Sequence, residues 1–456
     1  MTFAGADRVH FIGIGGAGMS AIAKVLLERG TSVSGSDLKG SRAMTVLEAM
    51  GADVHVGHSA ELVVGAELVI VSAAIPHANP ELARATADGI KVMGRGEALA
   101  AMLDGHRSII VAGTHGKTTT TSMIVSILTN AGLDPTFLVG GGLNDSGTNA
   151  RSGSTDIAIA ESDESDGSFL LLHPHVGVVT NIEMDHVDHW GSLAELERAF
   201  DDFMASTDQQ GSLVVPCGDI ESRALATRRG TVLSFGAGGA LEAKAIRTEG
   251  QVTAFTLSTP SGEADVHLRA LGSHNVSNAL AAAGAALSVG LDRTEIAAGL
   301  SAFHGVERRF ELLGTTSGIT VVDDYAHHPT EVRATLAAAK EGPWERVLAV
   351  FQPHRYSRTA ALHREFGMSF GDADAVIVTD VYGAGEEAVP GVSGKLISDS
   401  VCTSLPGRRV AYLPHRGEVL SYIRSTARDG DLVLTLGAGD VTSMGTELLS
   451  MLGNDS

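Results

Sequence analysis

Short β-branched, apolar runs alternate with helical patterns almost from one end of the chain to the other, and runs of that kind are buried on both faces only in parallel sheets joined by crossover helices. Residues 9–14 read as a strand, 19–29 as a helix, 32–36 as a strand, 42–50 as a helix and 68–72 as a strand. A second unit starts near residue 107 with an apolar strand over 108–112 and a helix from Thr118, whose Met123, Ile124, Ile127 and Leu128 recur at helical spacing before Gly132. Strands over 156–160 and 176–180 end in Glu161 and Asn181. Residues 243–269, polar and β-branched around a Pro260-Ser261-Gly262 turn, read as an antiparallel insert, with helices over 275–288 and 293–303 after it. Beyond Gly314 the alternation resumes with strands at 319–323, 346–351, 375–379 and 431–436. The expected fold is therefore α/β in three domains, at 1–106, 107–314 and 315–456, which suits 456 residues at roughly 150 per domain. The outer two are expected to be Rossmann-like and the central one P-loop ATPase-like.

Composition removes several function classes. Lys and Arg total 33 against 54 Asp and Glu, a net charge of −21, which disfavours nucleic acid and anionic membrane as partners because both require a basic footprint. Hydrophobic residues at 44% exclude wholesale disorder. Cys217 and Cys402 are too few for a disulfide framework, and the sequence near residue 9 leads into glycines rather than a signal core, so a cytoplasmic protein is expected. The longest small and apolar stretch, 278–291, contains Gly284, Ser288 and Gly290 and falls short of a membrane span, so no membrane insertion is expected.

Two glycine loops carry the chemistry. In the first, Gly13-Ile14-Gly15-Gly16-Ala17-Gly18 lies between strand and helix, and Asp37 ends the next strand. Glycines there let a diphosphate approach the helix N-terminus, and the acid can accept from a ribose hydroxyl. NAD and a UDP-sugar satisfy these requirements equally. The second, Gly113-Thr114-His115-Gly116-Lys117-Thr118, is a shortened Walker A loop, with Val111 where the longer form has glycine. Backbone amides would hold ATP phosphates, Lys117 would meet the β/γ charge and Thr118 would serve magnesium. A chain with both loops is more readily a ligase acting on a nucleotide-linked substrate than a dehydrogenase. A nicotinamide-dependent dehydrogenase with a nucleotide-sensing domain, and a non-catalytic P-loop regulator, remain as alternatives.

Together with ESDESD at 161–166, NIEMDH at 181–186, DDYAHHPTE at 323–331 and QPHRYSRT at 352–359, these loops resemble the Mur ligases, in order along the whole chain. The resemblance implies a first domain for a UDP-sugar, a central one for ATP and Mg2+, and a last one for an amino acid. The implied reaction joins the lactyl carboxylate of UDP-N-acetylmuramate to L-alanine through an acyl phosphate, releasing ADP and phosphate, in peptidoglycan precursor synthesis. A muropeptide-recycling ligase of the same superfamily is the near alternative. For the UDP-sugar it points to Gly15, Gly16, Ala17, Gly18, Met19, Ser20, Asp37 and Ser72. For ATP it points to residues 113–117 together with Thr118 and Thr119, and to His274, Asn275 and Asn278, which share one helix face or cap that helix. Arg309, rather than its neighbour Arg308, best matches the family's phosphate arginine, and Tyr325 is expected to contact the nucleotide.

Thr118, Glu161 and His186 are the implied magnesium ligands, although histidine is unusual for so hard a cation and could instead only hydrogen bond. Arg355 and Arg358, one turn apart, could fork onto an α-carboxylate, and His327 is a candidate base for the incoming ammonium. Asp163, Glu164 and Asp166 read as a solvated acidic loop without an assigned role. Oligomeric state is not legible in the sequence.

Overall fold

The structure, a computed structural model, describes residues 3, 5–144, 147–185, 189–227 and 230–453. The predicted βα alternation is present in each of three large sheets. In the first, strands Asp53–Val56, Ser32–Asp37, Arg8–Ile12, Leu68–Val71 and Lys91–Gly94 lie side by side in that order, all parallel. This is a doubly wound order whose reversal falls between Arg8–Ile12 and Leu68–Val71, and ligands bind at the carboxyl ends beside such a switch point. The second sheet runs Thr231–Phe235, Ser212–Pro216, Val176–Val179, Arg107–Ala112, Ile157–Glu161, Thr136–Leu138 and Ala150–Arg151. Only its last strand is antiparallel to its neighbour.

Packing of Cα atoms divides the chain into two compact units rather than three. The first, Met1–Ala245 with Phe255–Val266 and Ser277–Phe303, contains both of these sheets. One continuous core explains the merger: Phe11, Ile22 and Leu99 from the first sheet and its helices belong to the same buried cluster as Ile110, Phe169 and Phe200. Polar struts reinforce it, with Arg29 Nε donating to Ser152 Oγ at 3.2 Å and Arg95 Nη2 to Asp166 Oδ2 at 3.0 Å.

The second unit comprises Ile246–Ala254, His267–Val276 and His304–Ser456. Its sheet runs Glu311–Thr316, Ile319–Asp324, Asp431–Leu436, Arg346–Phe351, Ala375–Val378 and Arg409–Tyr412, parallel except for the first strand. Alternate residues enter opposite cores: Val322, Ala349 and Phe351 face one, and Val321, Leu348 and Val350 the other. The insert forms a three-stranded sheet of Glu242–Glu249, Val252–Thr259 and Gly262–Leu268. Among the described residues, no helix is long and apolar enough to cross a membrane.

Candidate active site

The first glycine loop turns immediately after Arg8–Ile12. The amides of Gly13 and Ile14 both donate to the Ser36 carbonyl, at 2.8 and 3.0 Å, which pins the turn to the neighbouring strand. Gly15 N–H donates to Asp37 Oδ2 at 3.0 Å, so this carboxylate also shapes the loop it was expected to serve. Gly16 caps the helix Ala17–Glu28, in which Met19 is buried and Ser20 Oγ donates to the Ala17 carbonyl at 3.0 Å. Ser72 follows Leu68–Val71, across the switch point, and its hydroxyl accepts from Ala74 N–H at 3.4 Å.

The second glycine loop joins Arg107–Ala112 to the helix Lys117–Asn130. Gly116 caps that helix at φ +80°, a left-handed conformation that suits glycine, and Asn278 lies where its side chain would stand. Asn278 Oδ1 also accepts from Thr120 Oγ1 at 3.3 Å. The 180–183 segment holds the loop from the other side. Thr180 Oγ1 and Asn181 Nδ2 donate to the His115 carbonyl at 2.6 and 3.0 Å, and Asn181 Oδ1 accepts from His115 N–H at 2.9 Å. Thr114 Oγ1 donates to the Glu183 carbonyl at 3.0 Å, and His115 Nε2 lies 3.2 Å from Glu183 Oε2. The positioning roles of Thr180 and Asn181 were not assigned from sequence, although Asn181 begins a motif quoted there.

Lys117 is the polar centre of this loop. Its Nζ donates to Gly113 O at 2.6 Å, to Thr114 O at 3.2 Å and to Glu164 Oε2 at 2.7 Å. Burial alone would lower the lysine pKa, but Glu164, with Asp163 and Glu161 behind it, raises it instead, so the ammonium stays charged. The expectation of a solvated acidic loop therefore fails at Glu164, whose side chain is 1% exposed. Fold brings it inward: the Ile157–Glu161 strand ends beside Arg107–Ala112, with Val111 opposite Glu161, and the chain then turns across the lysine. Asp166 is likewise engaged, by Arg95.

Thr118 and Thr119 are buried in the first turn of Lys117–Asn130, and Glu161 ends the adjacent strand. A Cβ on Gly140 would collide with Glu161 Oε1, so that glycine leaves the space the carboxylate occupies. A hydroxyl in the first turn of that helix and a carboxylate at the end of the adjacent strand are oxygen donors of the kind that suits a hard divalent cation. His186 lies outside the described residues.

In the second unit, Arg308 and Arg309 have different partners. Arg308 Nε donates to the buried Asp323 at 3.2 Å and its Nη2 to the Gly437 carbonyl at 2.6 Å. Asp323 is held further by Thr435 and Thr442, so Arg308 is committed to tying strands together. Arg309 makes a long ion pair, 3.9 Å to Glu331, and both guanidinium groups lie over the Tyr325 ring, at 4.8 and 5.1 Å from its centroid. Burial pushes Asp324 up to about 6, against the pull of Arg309 and of two backbone amides. Burial pushes His274 down to about 4, with Glu331 opposing and Arg309 assisting. Asn275 Nδ2 donates to the Leu271 carbonyl at 2.8 Å.

His327 Nδ1 lies 3.0 Å from the Tyr325 carbonyl. A carbonyl can only accept, so Nδ1 carries a proton, and whenever the ring is neutral its lone pair lies at Nε2. His354, quoted within a motif but given no role, packs 5.8 Å from the His327 ring and stacks on Tyr382. Burial, then the charges of His327, Arg358 and Arg355, push it down to about 3, so it is neutral at ordinary pH. Arg355 caps the helix Tyr356–Ser369 at φ +69°, ψ 139°, a region almost confined to glycine. Arg358 stands in the first turn of that helix.

Comparison with known proteins decides the family. Residues 8–107 match the Mur ligase family catalytic domain, 111–286 the Mur ligase middle domain and 308–439 the Mur ligase glutamate ligase domain. The chain belongs to the Mur ligase family. A Mur ligase from Rubrobacter xylanophilus, a UDP-N-acetylmuramate--L-alanine ligase, is 50% identical over 98% of this chain and 100% of its own. The enzyme of that name from Nocardia farcinica is 46% identical over 98% of this chain and 95% of its own. Among solved structures, UDP-N-acetylmuramate-alanine ligase from Thermotoga maritima superimposes with a TM-score of 0.85 at 29% identity, covering 98% of this chain and 100% of that one. A murein peptide ligase from Psychrobacter arcticus gives 0.73 at 26% identity, covering 98% and 99%. The three-domain α/β architecture of the family is thus present, with two of its domains sharing one core.

Proposed function

We propose that the protein is a cytoplasmic, ATP-dependent ligase that joins the lactyl carboxylate of UDP-N-acetylmuramate to the amine of L-alanine, with release of ADP and phosphate. The observation that carries this reading is the likeness along 98% of the chain to relatives of that name. Domain boundaries near residues 106 and 314 belong to the same proposal; the gap between the first two matched segments lies beside the first boundary, whereas the third segment begins at 308, ahead of the second boundary.

The chemistry requires activation because a carboxylate offers only oxide as a leaving group. Its oxygen attacks the γ-phosphorus of ATP, ADP departs, and the amine then displaces phosphate from the acyl phosphate through a tetrahedral intermediate. Lys117 and the amides of the second glycine loop stabilise the charge that moves onto the β/γ bridge, where fixed donors contribute most. Magnesium, with Thr118, Glu161 and His186 as its proposed ligands, would supply charge neutralisation on the phosphates. Thr119, His274, Asn275, Asn278, Arg309 and Tyr325 are proposed for the nucleotide, and residues 15–20 with Asp37 and Ser72 for the UDP-sugar. Arg355 and Arg358 are proposed to hold the α-carboxylate, and His327 to take the ammonium proton at Nε2.

The reading is tested against its nearest neighbour in fold by competition. With L-alanine and an L-alanyl tripeptide supplied together, the product is expected to carry a single alanine. A product carrying the tripeptide would replace this proposal with a peptide-recycling ligase.

A further inference from the structure

We infer that Glu164 is a positioning residue that competes with nucleotide phosphate for Lys117. The inference rests on the proposed ATP site. Lys117 has three N–H donors, and among the described residues three acceptors take them: two loop carbonyls and the Glu164 carboxylate. A phosphate oxygen therefore reaches the ammonium only by displacing one of them. The carboxylate is the acceptor whose negative charge also repels the phosphates.

The backbone of Glu164 is anchored independently of the lysine. Its backbone carbonyl accepts from Trp190 Nε1 at 3.0 Å and from Gly167 N–H at 3.1 Å. Two residues on, Asp166 is tied to Arg95 at 3.0 Å, and Asp166 Oδ1 accepts from Ser168 N–H at 3.0 Å. The acidic segment is thus a braced arm holding one carboxylate against the catalytic lysine. Ground-state affinity for nucleotide is reduced by this arrangement, and recapture of Lys117 by Glu164 assists release of ADP.

The sign of the effect separates this role from a structural one. Glu164→Gln preserves shape and removes the charge, so ADP, measured by titration calorimetry on the full chain, is expected to bind about 10-fold more tightly, the change set by one charge-assisted hydrogen bond. In steady state, KM for ATP is expected to fall while kcat does not rise. Glu164→Asp, which keeps the charge but withdraws it by one methylene, is expected to fall between wild type and E164Q. If E164Q does not fold, E164D alone must bind ADP more tightly than wild type. Unchanged or weaker ADP binding in the folded variants overturns the inference, because a residue that merely supports the loop can only lose affinity when altered. Wild-type protein that binds no ADP would instead remove the ATP site on which the inference rests.

Discussion

Lys117→Met is expected to lower turnover by about 10³-fold, the scale seen when one preorganised donor is removed from a site of developing charge. Its effect does not stop at catalysis. Lys117 is the cation of the buried Glu164, and a buried carboxylate deprived of its partner costs about 3–5 kcal/mol. The single variant should therefore unfold at a lower temperature as well as lose activity. Combining it with Glu164→Leu removes the stranded charge and fills its space with apolar atoms, which should restore most of the stability and none of the turnover. Calorimetric melting and ADP release on both variants check the two halves separately. Recovery of activity in the double variant would mean that Lys117 serves the fold rather than the reaction.

Arg355→Gly is expected to raise KM for L-alanine about 100-fold, the loss of a charge-assisted contact to a carboxylate, with KM for ATP unchanged. Stability should respond differently. Arg355 occupies φ +69°, ψ 139°, where a non-glycine residue is strained by about 1–3 kcal/mol. Glycine relieves that strain, offset by about 1 kcal/mol for the greater freedom of the unfolded chain. The melting temperature should consequently stay level or rise while amino-acid affinity collapses. Arg355→Ala, which keeps the strain, should melt below the glycine variant. An unaltered KM for L-alanine in both would remove Arg355 from the amino-acid site.

Legibility of this fold in its sequence followed hydrophobic pattern closely. Strands that are mostly apolar, such as Arg346–Phe351 and Asp431–Leu436, announce burial on both faces. Strands that the alternation did not reveal are short or carry polar residues: Asp53–Val56 and Lys91–Gly94 lie at sheet edges, where no residue is fully buried. The merger of the first two domains into one compact unit was also hidden, because periodicity reports which face of an element is buried and not what buries it. Phe169, between the acidic loop and the next strand and given no reading from sequence, is buried with Trp190, Phe200 and Phe203 packed around it.

The site divides in the same way. Glycine loops are legible because few residues tolerate their backbone, and Gly116 at φ +80° shows the reason. Glu164 was not legible, since an acidic residue among acidic residues carries no mark of burial; only the turn of the chain after Glu161 places it on Lys117. Nor could spacing distinguish Arg308 from Arg309. The difference lies in Asp323, a buried carboxylate that engages the first and leaves the second facing Tyr325 and Glu331.

Coupling of ATP cleavage to the union of a UDP-linked carboxylate with L-alanine is tested by measuring ADP and amide product with each component omitted in turn. With ATP, Mg2+, UDP-N-acetylmuramate and L-alanine all present, ADP and UDP-N-acetylmuramoyl-L-alanine should appear in equal amounts. Omission of any one should abolish the amide product. Release of ADP that ignores both the UDP-sugar and L-alanine would contradict that coupling.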